Sequence, residues 1–222
     1  EVGIVSPPLL LSAISFEMRD ILISLALIGI LAAATAICFM KLMIYLGTIP
    51  QKIKFKSWQA PVIAGLACGL SGMFFSEILG LGTETLMSVI TNQQDITYLL
   101  ALLIGKLILT SICIGFGFFG GTFSPALFLG GVLGALIFLL PITSNNADLV
   151  SVLAVSGMAA VASSVIGAPI TAIILVLELT GSYEYAIAST LPIVLCSFIT
   201  SRFFGNSLFD KQLISRGVAI TK

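Results

Sequence analysis

Gly120-Gly121-Thr122-Phe123-Ser124-Pro125 interrupts an apolar run that extends over residues 114–140. The two glycines expose backbone. Pro125 has no N–H and a φ already near the helical value, so it suits the first position of a new helix, with Ser124 just outside it. A helix restarting here places free N–H groups and the positive end of its dipole deep in an apolar segment. An unsatisfied donor in hydrocarbon costs several kcal/mol, so something must accept those bonds. Two kinds of partner are open. One is a neighbouring carbonyl or water; the other is an anion, because broken helices whose N-termini point into the bilayer are how membrane transporters hold anions.

The composition around this stretch sets the class. Hydrophobic residues make up 58% of the 222 positions and charged residues 9%, and mean hydropathy is +1.17, values that belong to an all-helical polytopic membrane protein and not to a soluble domain. The formal net charge is zero, which gives nucleic acid nothing to bind, and no cofactor motif is present. The absence of His excludes histidine-ligated metals, histidine general bases and a histidine pH switch from this chain. Cys38, Cys68, Cys113 and Cys196 are far apart in apolar segments and read as small buried hydrophobes, with neither zinc spacing nor a disulfide framework.

Working outward toward the N-terminus, residues 97–116 form a full span that contains Lys106, an ionisable group for which snorkelling is hard at mid-span. A structural pair is the commoner reading and an ion-path role the sharper one. Residues 84–90 form a helix too short to cross, with Glu84 capping or starting it after the break Gly80-Leu81-Gly82-Thr83. A second span covers 58–79 and carries Gly65, Gly69 and Gly72 on one face, which admits a close neighbour. Before it lies a basic loop, 48–57, and a long helix over 20–47 that exceeds a ~30 Å hydrocarbon core and must tilt. Residues 1–16 contain Pro7-Pro8 and read as a lead-in loop or interfacial segment; the start at Glu1, with no initiator Met and no signal-type n-region, reads as a fragment or a processed product.

Toward the C-terminus the helix after Pro125 runs to about 140, and another occupies 149–164. Ile166-Gly167-Ala168-Pro169 then repeats the glycine-before-proline device, and the helix it opens lasts only to Thr180. Glu178 near its end is either a proton-relay or interface carboxylate or an acid at the water boundary with a local partner. A last span covers 183–204, a short amphipathic helix 207–217, and a tail 218–222. Phe116, Phe118 and Phe119 lie between glycines, where they either line a constriction or fill packing space. Lys41, Lys52, Lys54 and Lys56 cluster at the first loop, and Arg202, Lys211, Arg216 and Lys222 at the C-terminus, so the 48–57 loop and the C-terminus are both expected on the cytoplasmic side of an inner or plasma membrane.

Unequal helices broken by Gly and Pro argue for a transporter of discontinuous helices. Three blocks make the pattern specific. Gly121-Thr122-Phe123-Ser124-Pro125 resembles the Gly-x-Phe-x-Pro signature of the CLC chloride channel and chloride/proton antiporter family; Ala168-Pro169 leads into Ile173-Ile174-Leu175-Val176-Leu177-Glu178-Leu179-Thr180; and a Gly-x-x-Leu-Phe turn opens the last helix at Gly205 to Phe209. By this resemblance residues 17–217 are the second of the family's two inverted halves. The first half, with its Gly-Ser-Gly-Ile-Pro loop, gating-glutamate loop and internal proton glutamate, is a missing partner.

The resemblance implies that the backbone N–H groups of Thr122 and Phe123 contact the central chloride, with Gly120, Gly121, Ser124 and Pro125 shaping the loop. It also implies a homodimer through 169–180 and 183–204. The family's tyrosine on the same ion matches Phe209 here, which donates no hydrogen bond, so a weaker central site is expected. A helix N-terminus holds an anion without an ionised side chain and lets it leave. The expected function is chloride movement with no covalent chemistry, as channel or antiporter. Other readings are an incomplete half-module that conducts nothing alone, and the same fold carrying fluoride or nitrate.

Overall fold

The computed structural model describes residues 18–53, 58–91, 94–118, 120–140, 147–205 and 208–215. The lead-in 1–16, Lys54, Lys56, Phe119, Ser207, Arg216 and the tail 218–222 lie outside the described residues. Among those described the chain is helical without strands: α1 Met18–Ile53, α2 Gln59–Phe74, a 3-10 turn at Ser76–Ile78, α3 Thr83–Thr91, α4 Ile96–Gly115, α5 Phe123–Phe138, α6 Ala147–Ile166, α7 Pro169–Thr180, α8 Tyr183–Phe203 and α9 Leu208–Ser215. Windows within α1, α4 and α6, and one that starts at Tyr183, are long and apolar enough to cross a membrane, whereas α2, α5 and α7 are apolar but shorter. This is a multi-pass membrane architecture with short and broken helices.

Three boundaries differ from the sequence expectation. α1 does not stop at Gly47 but runs to Ile53, through Pro50, so residues 48–53 of the expected basic loop are helical. The reason is packing: a Cβ on Gly115 of α4 would lie 2.9 Å from Leu46 Cβ and 3.0 Å from the Gly47 nitrogen, so the two helices touch backbone to backbone there, and Pro50 removes only one helical bond. α2 ends at Phe74, and the 3-10 turn takes up the residues expected to complete it. α5 begins at Phe123, with Thr122 as its N-cap and Pro125 in the third position. The Ala126 N–H donates to the Thr122 carbonyl at 3.2 Å; any position in the first turn tolerates proline, because those N–H groups have no intrahelical acceptor.

α5 is the axle. It is apolar on every side and buried continuously from Phe128 to Ala135, as expected for a helix wholly surrounded by others. One side of it, with Leu129 and Leu133, joins Ile28, Phe39 and Met40 of α1, Leu153 and Val161 of α6 and Ile193 of α8. The other side, with Phe128 and Val132, joins Ile78, Leu86, Leu99 and Leu102. Against α6 the contact is backbone to backbone: Gly130 faces the Gly157 carbonyl, Gly134 faces Leu153, and Gly157 faces Gly130 in return. α6 and α8 are joined by small polar side chains, Ser156 to Ser189 at 3.1 Å, Ser163 to Ser197 at 3.4 Å and Ser164 Oγ to Cys196 Sγ at 3.0 Å. Such pairs let apolar helices recognise each other where burial alone gives no preference.

Candidate functional site

The glycine-rich connection between α4 and α5 is closed on one side and open on the other. At the end of α4 the carbonyls are matched by turns: the Gly117 N–H donates to Ile114 at 3.1 Å and the Phe118 N–H to Cys113 at 3.0 Å, with Gly117 at φ +99°. At the start of α5 the opposite holds. Thr122 adopts a right-handed helical conformation, which turns its side chain away from the capping position, and it makes no side-chain cap bond. Its hydroxyl is buried without a hydrogen-bond partner, although the residue is only 7% exposed. The N–H groups of Thr122, Phe123 and Ser124 find no acceptor among the described residues, and Pro125 has none to offer. A Cβ placed on Gly121 would meet nothing within 4 Å. Three N–H groups at the positive end of a helix dipole are thus unmatched among the described residues, next to a glycine with an open face, an arrangement suited to binding an anion without a charged side chain.

One cavity adjoins this end of α5, and a second, which no α5 residue lines, neighbours the first. The smaller, about 260 Å³, is lined by Phe123, Leu127, Ala159, Ala162, Ile166 and Leu175 and is almost wholly apolar. The larger, about 550 Å³, is lined by Ser164, Ser197, Thr200, Ser201 and Asp210 among others, at the meeting of α6, α7, α8 and α9. Ser163 and Ile166 line both, so a polar space and an apolar throat at Phe123 are neighbours across those two side chains. The polar cavity was not anticipated from the sequence. The signal was present in Ser156, Ser163 and Ser164 against Ser189, Ser197 and Ser201, hydroxyls recurring at helical spacing on two apolar segments.

The remaining sequence-picked residues fall in different places. Gly120 and Gly121 are exposed with the loop, and Ser124 and Pro125 form the first turn of α5. Phe209 is 46% exposed on α9 and lines neither cavity, although Asp210 beside it lines the polar one. Glu178 is exposed in the last turn of α7, and Glu84 is exposed in the first turn of α3. Phe118 packs over α2, with its ring edge 3.6 Å from where a Gly65 Cβ would stand.

Lys106, 3% exposed, donates from Nζ to the carbonyls of Ile78 and Gly80, each at 2.7 Å, and sits 4.9 Å from the centre of the Phe128 ring. Its partners are the carbonyls left over at the end of a 3-10 turn and an aromatic face. The cation thus clasps the broken α2–α3 connection to α4 and α5, and this reading of Lys106 is structural.

The sequence profile described as voltage gated chloride channel matches residues 6–202. The chain belongs to that family. Among curated relatives, the H(+)/Cl(-) exchange transporter ClcA of Vibrio parahaemolyticus is 32% identical over 159 residues, covering 69% of this chain and 33% of that protein. The ClcA of Klebsiella pneumoniae strain 342 is 30% identical over 171 residues, or 74% of this chain and 35% of the relative. The ClcA of Yersinia pestis bv. Antiqua is 28% identical over 204 residues, or 87% and 41%. The fold matches the crystal structure of a slow cyanobacterial Cl-/H+ antiporter with a TM-score of 0.62 at 22% identity, covering 88% of this chain and 46% of that one. The chain thus spans between a third and a half of the length of these relatives.

Proposed function

We propose that this chain contributes part of a chloride pathway through the membrane, holding the ion on the backbone N–H groups of Thr122 and Phe123. The observation that carries the reading is the unmatched first turn of α5 beside the open face of Gly121. A chloride there exchanges part of its hydration for fixed dipoles, binding well enough to enter and weakly enough to leave. The relatives named as proton/chloride exchangers favour coupled exchange over a passive pore. The hydroxyl-lined cavity beside the apolar throat supports a wet approach to the site from the end of the molecule where α9 lies. The positive charges at the C-terminus favour a cytoplasmic position for that end.

In this reading residues 17–217 are one of two inverted halves, and the ion is completed by a segment that lies outside these 222 residues. The exposed apolar side chains Ile170, Ile174 and Leu179 of α7, with Ile187, Val194 and Phe198 of α8, are the face offered to a second copy. Two measurements test the proposal. Titrating the complete protein with chloride by calorimetry should give a saturable heat; its absence removes the anion site. The 222-residue chain alone, reconstituted in chloride-loaded liposomes, should show no sustained efflux, and sustained efflux would overturn the shared site.

A further inference from the structure

The polar cavity at the meeting of α6, α7, α8 and α9 is rich in oxygen and poor in available hydrogen. Each lining hydroxyl has one hydrogen to give, and most are already given. Ser163 donates to the Ala160 carbonyl and Ser201 to the Phe198 carbonyl, each at 2.8 Å. Because the Ser163 hydrogen is spent there, Ser197 is the donor in the 3.4 Å contact between Ser163 and Ser197, and its hydrogen is spent as well. Ser164 Oγ is paired with the Cys196 thiol at 3.0 Å. The turns add no donor: the Gly167 N–H goes to the Ser163 carbonyl at 2.8 Å and the Gly205 N–H to the Thr200 carbonyl at 3.3 Å. α7 meets the cavity at Pro169, which has no N–H, and the positive end of α9 is answered by Asp210 in its own first turn. What this lining offers a ligand is lone pairs, above all on Ser197, Ser201 and the Asp210 carboxylate.

Thr200 adds a separate observation. It lines the same cavity and is only 4% exposed, and its hydroxyl is buried without a hydrogen-bond partner. A buried polar oxygen left unpaired calls for a partner from outside the chain.

We propose that this cavity binds a hard monovalent cation, an alkali ion of the sodium type, on the oxygens of Ser197, Thr200, Ser201 and Asp210. Walls that accept and do not donate suit a cation, and chloride crossing the same space keeps its own water. One carboxylate among neutral hydroxyls brings a single negative charge, whereas a calcium site draws on several carboxylates. Among the described residues no group of three or more His, Cys, Asp or Glu side chains is placed to hold a metal, which sets transition metals aside. At about 550 Å³ the space admits the ion with part of its water shell. No α5 residue lines the cavity, so the inference does not rest on the anion site at Thr122 and Phe123.

The test uses the complete protein in nanodiscs of neutral phosphatidylcholine, in N-methylglucamine gluconate, with sodium gluconate as the probe and the sodium NMR linewidth as the readout. Bound sodium should broaden the resonance saturably. Thr200→Val keeps the side-chain shape and removes an unpaired oxygen, so it should fold at least as well as the parent and bind sodium several-fold more weakly, with Thr200→Ser restoring the affinity. Asp210→Asn removes the charge and should weaken binding about tenfold. Absence of saturable broadening, or unchanged binding in either Thr200→Val or Asp210→Asn, overturns the site. Chloride calorimetry on the same samples keeps the two readings apart. Sodium binding without a chloride heat leaves the cation site standing and removes the anion site; a chloride heat without sodium binding removes the cation site alone.

Discussion

Gly121 and Gly130 belong to the same helical segment, one at the approach to α5 and one in its middle, and they do opposite things with the same missing side chain. At Gly130 the space a Cβ would need is already occupied by the backbone of α6 at Gly157 and Met158. At Gly121 the space is empty, and the neighbouring N–H groups are unmatched among the described residues. Gly130 lets two helices touch, and Gly121 leaves backbone available. The difference teaches that the body of α5 is fixed by protein on all sides so that its first turn can remain unsatisfied by protein. A helix whose open end costs several kcal/mol in hydrocarbon must be held by packing elsewhere along its length.

The comparison breaks most visibly under one substitution made at both positions. Gly130→Ala should destabilise the fold by about 2–3 kcal/mol in spite of alanine's better helix propensity, because the added carbon lands on the backbone of α6, which has to move as a unit. Thermal unfolding followed by size-exclusion fluorescence measures this, and an unchanged midpoint would show that α5 and α6 are not held in backbone contact. Gly121→Ala should leave that midpoint within the ~0.5 kcal/mol typical of a surface change. Its methyl group instead enters the open face beside Thr122, and loss of one charge-assisted contact there should weaken chloride binding by about 1.5 kcal/mol, near tenfold. Equal affinity in the two proteins would mean that the ion does not approach over Gly121.

How far the sequence leads can be seen in the same helices. The restart before α7 was legible at Gly167-Ala168-Pro169, because proline and glycine act locally and the helix does begin at Pro169. The end of α1 was not, since Gly47 and Pro50 are local stop signals that a long-range contact with Gly115 overrides. Lys106 was legible as a residue needing partners, but those partners are carbonyls supplied by an irregular turn, which no residue type announces. Thr122 and Phe123 were picked from the motif, yet the buried and unpartnered Thr122 hydroxyl follows from its backbone conformation, which the motif does not specify.

The smallest expected effect concerns Phe209, and it tests whether α9 belongs to the open end of α5 at all. The side chain is 46% exposed and lines neither cavity, so adding a hydroxyl to its ring creates no steric conflict and should not alter stability. If the ion lies between the start of α5 and α9, the phenol of Phe209→Tyr supplies one donor that the backbone N–H groups do not. A single hydrogen bond exchanged for a bond to water is worth about 0.5–1.5 kcal/mol, or roughly two- to tenfold in affinity, with the upper end favoured when the acceptor is charged. Chloride calorimetry on the complete protein should therefore show tighter binding, more favourable in enthalpy than in entropy. An unchanged isotherm would leave α5 holding its share of the ion by backbone dipoles alone, with α9 serving only to wall the polar cavity through Asp210.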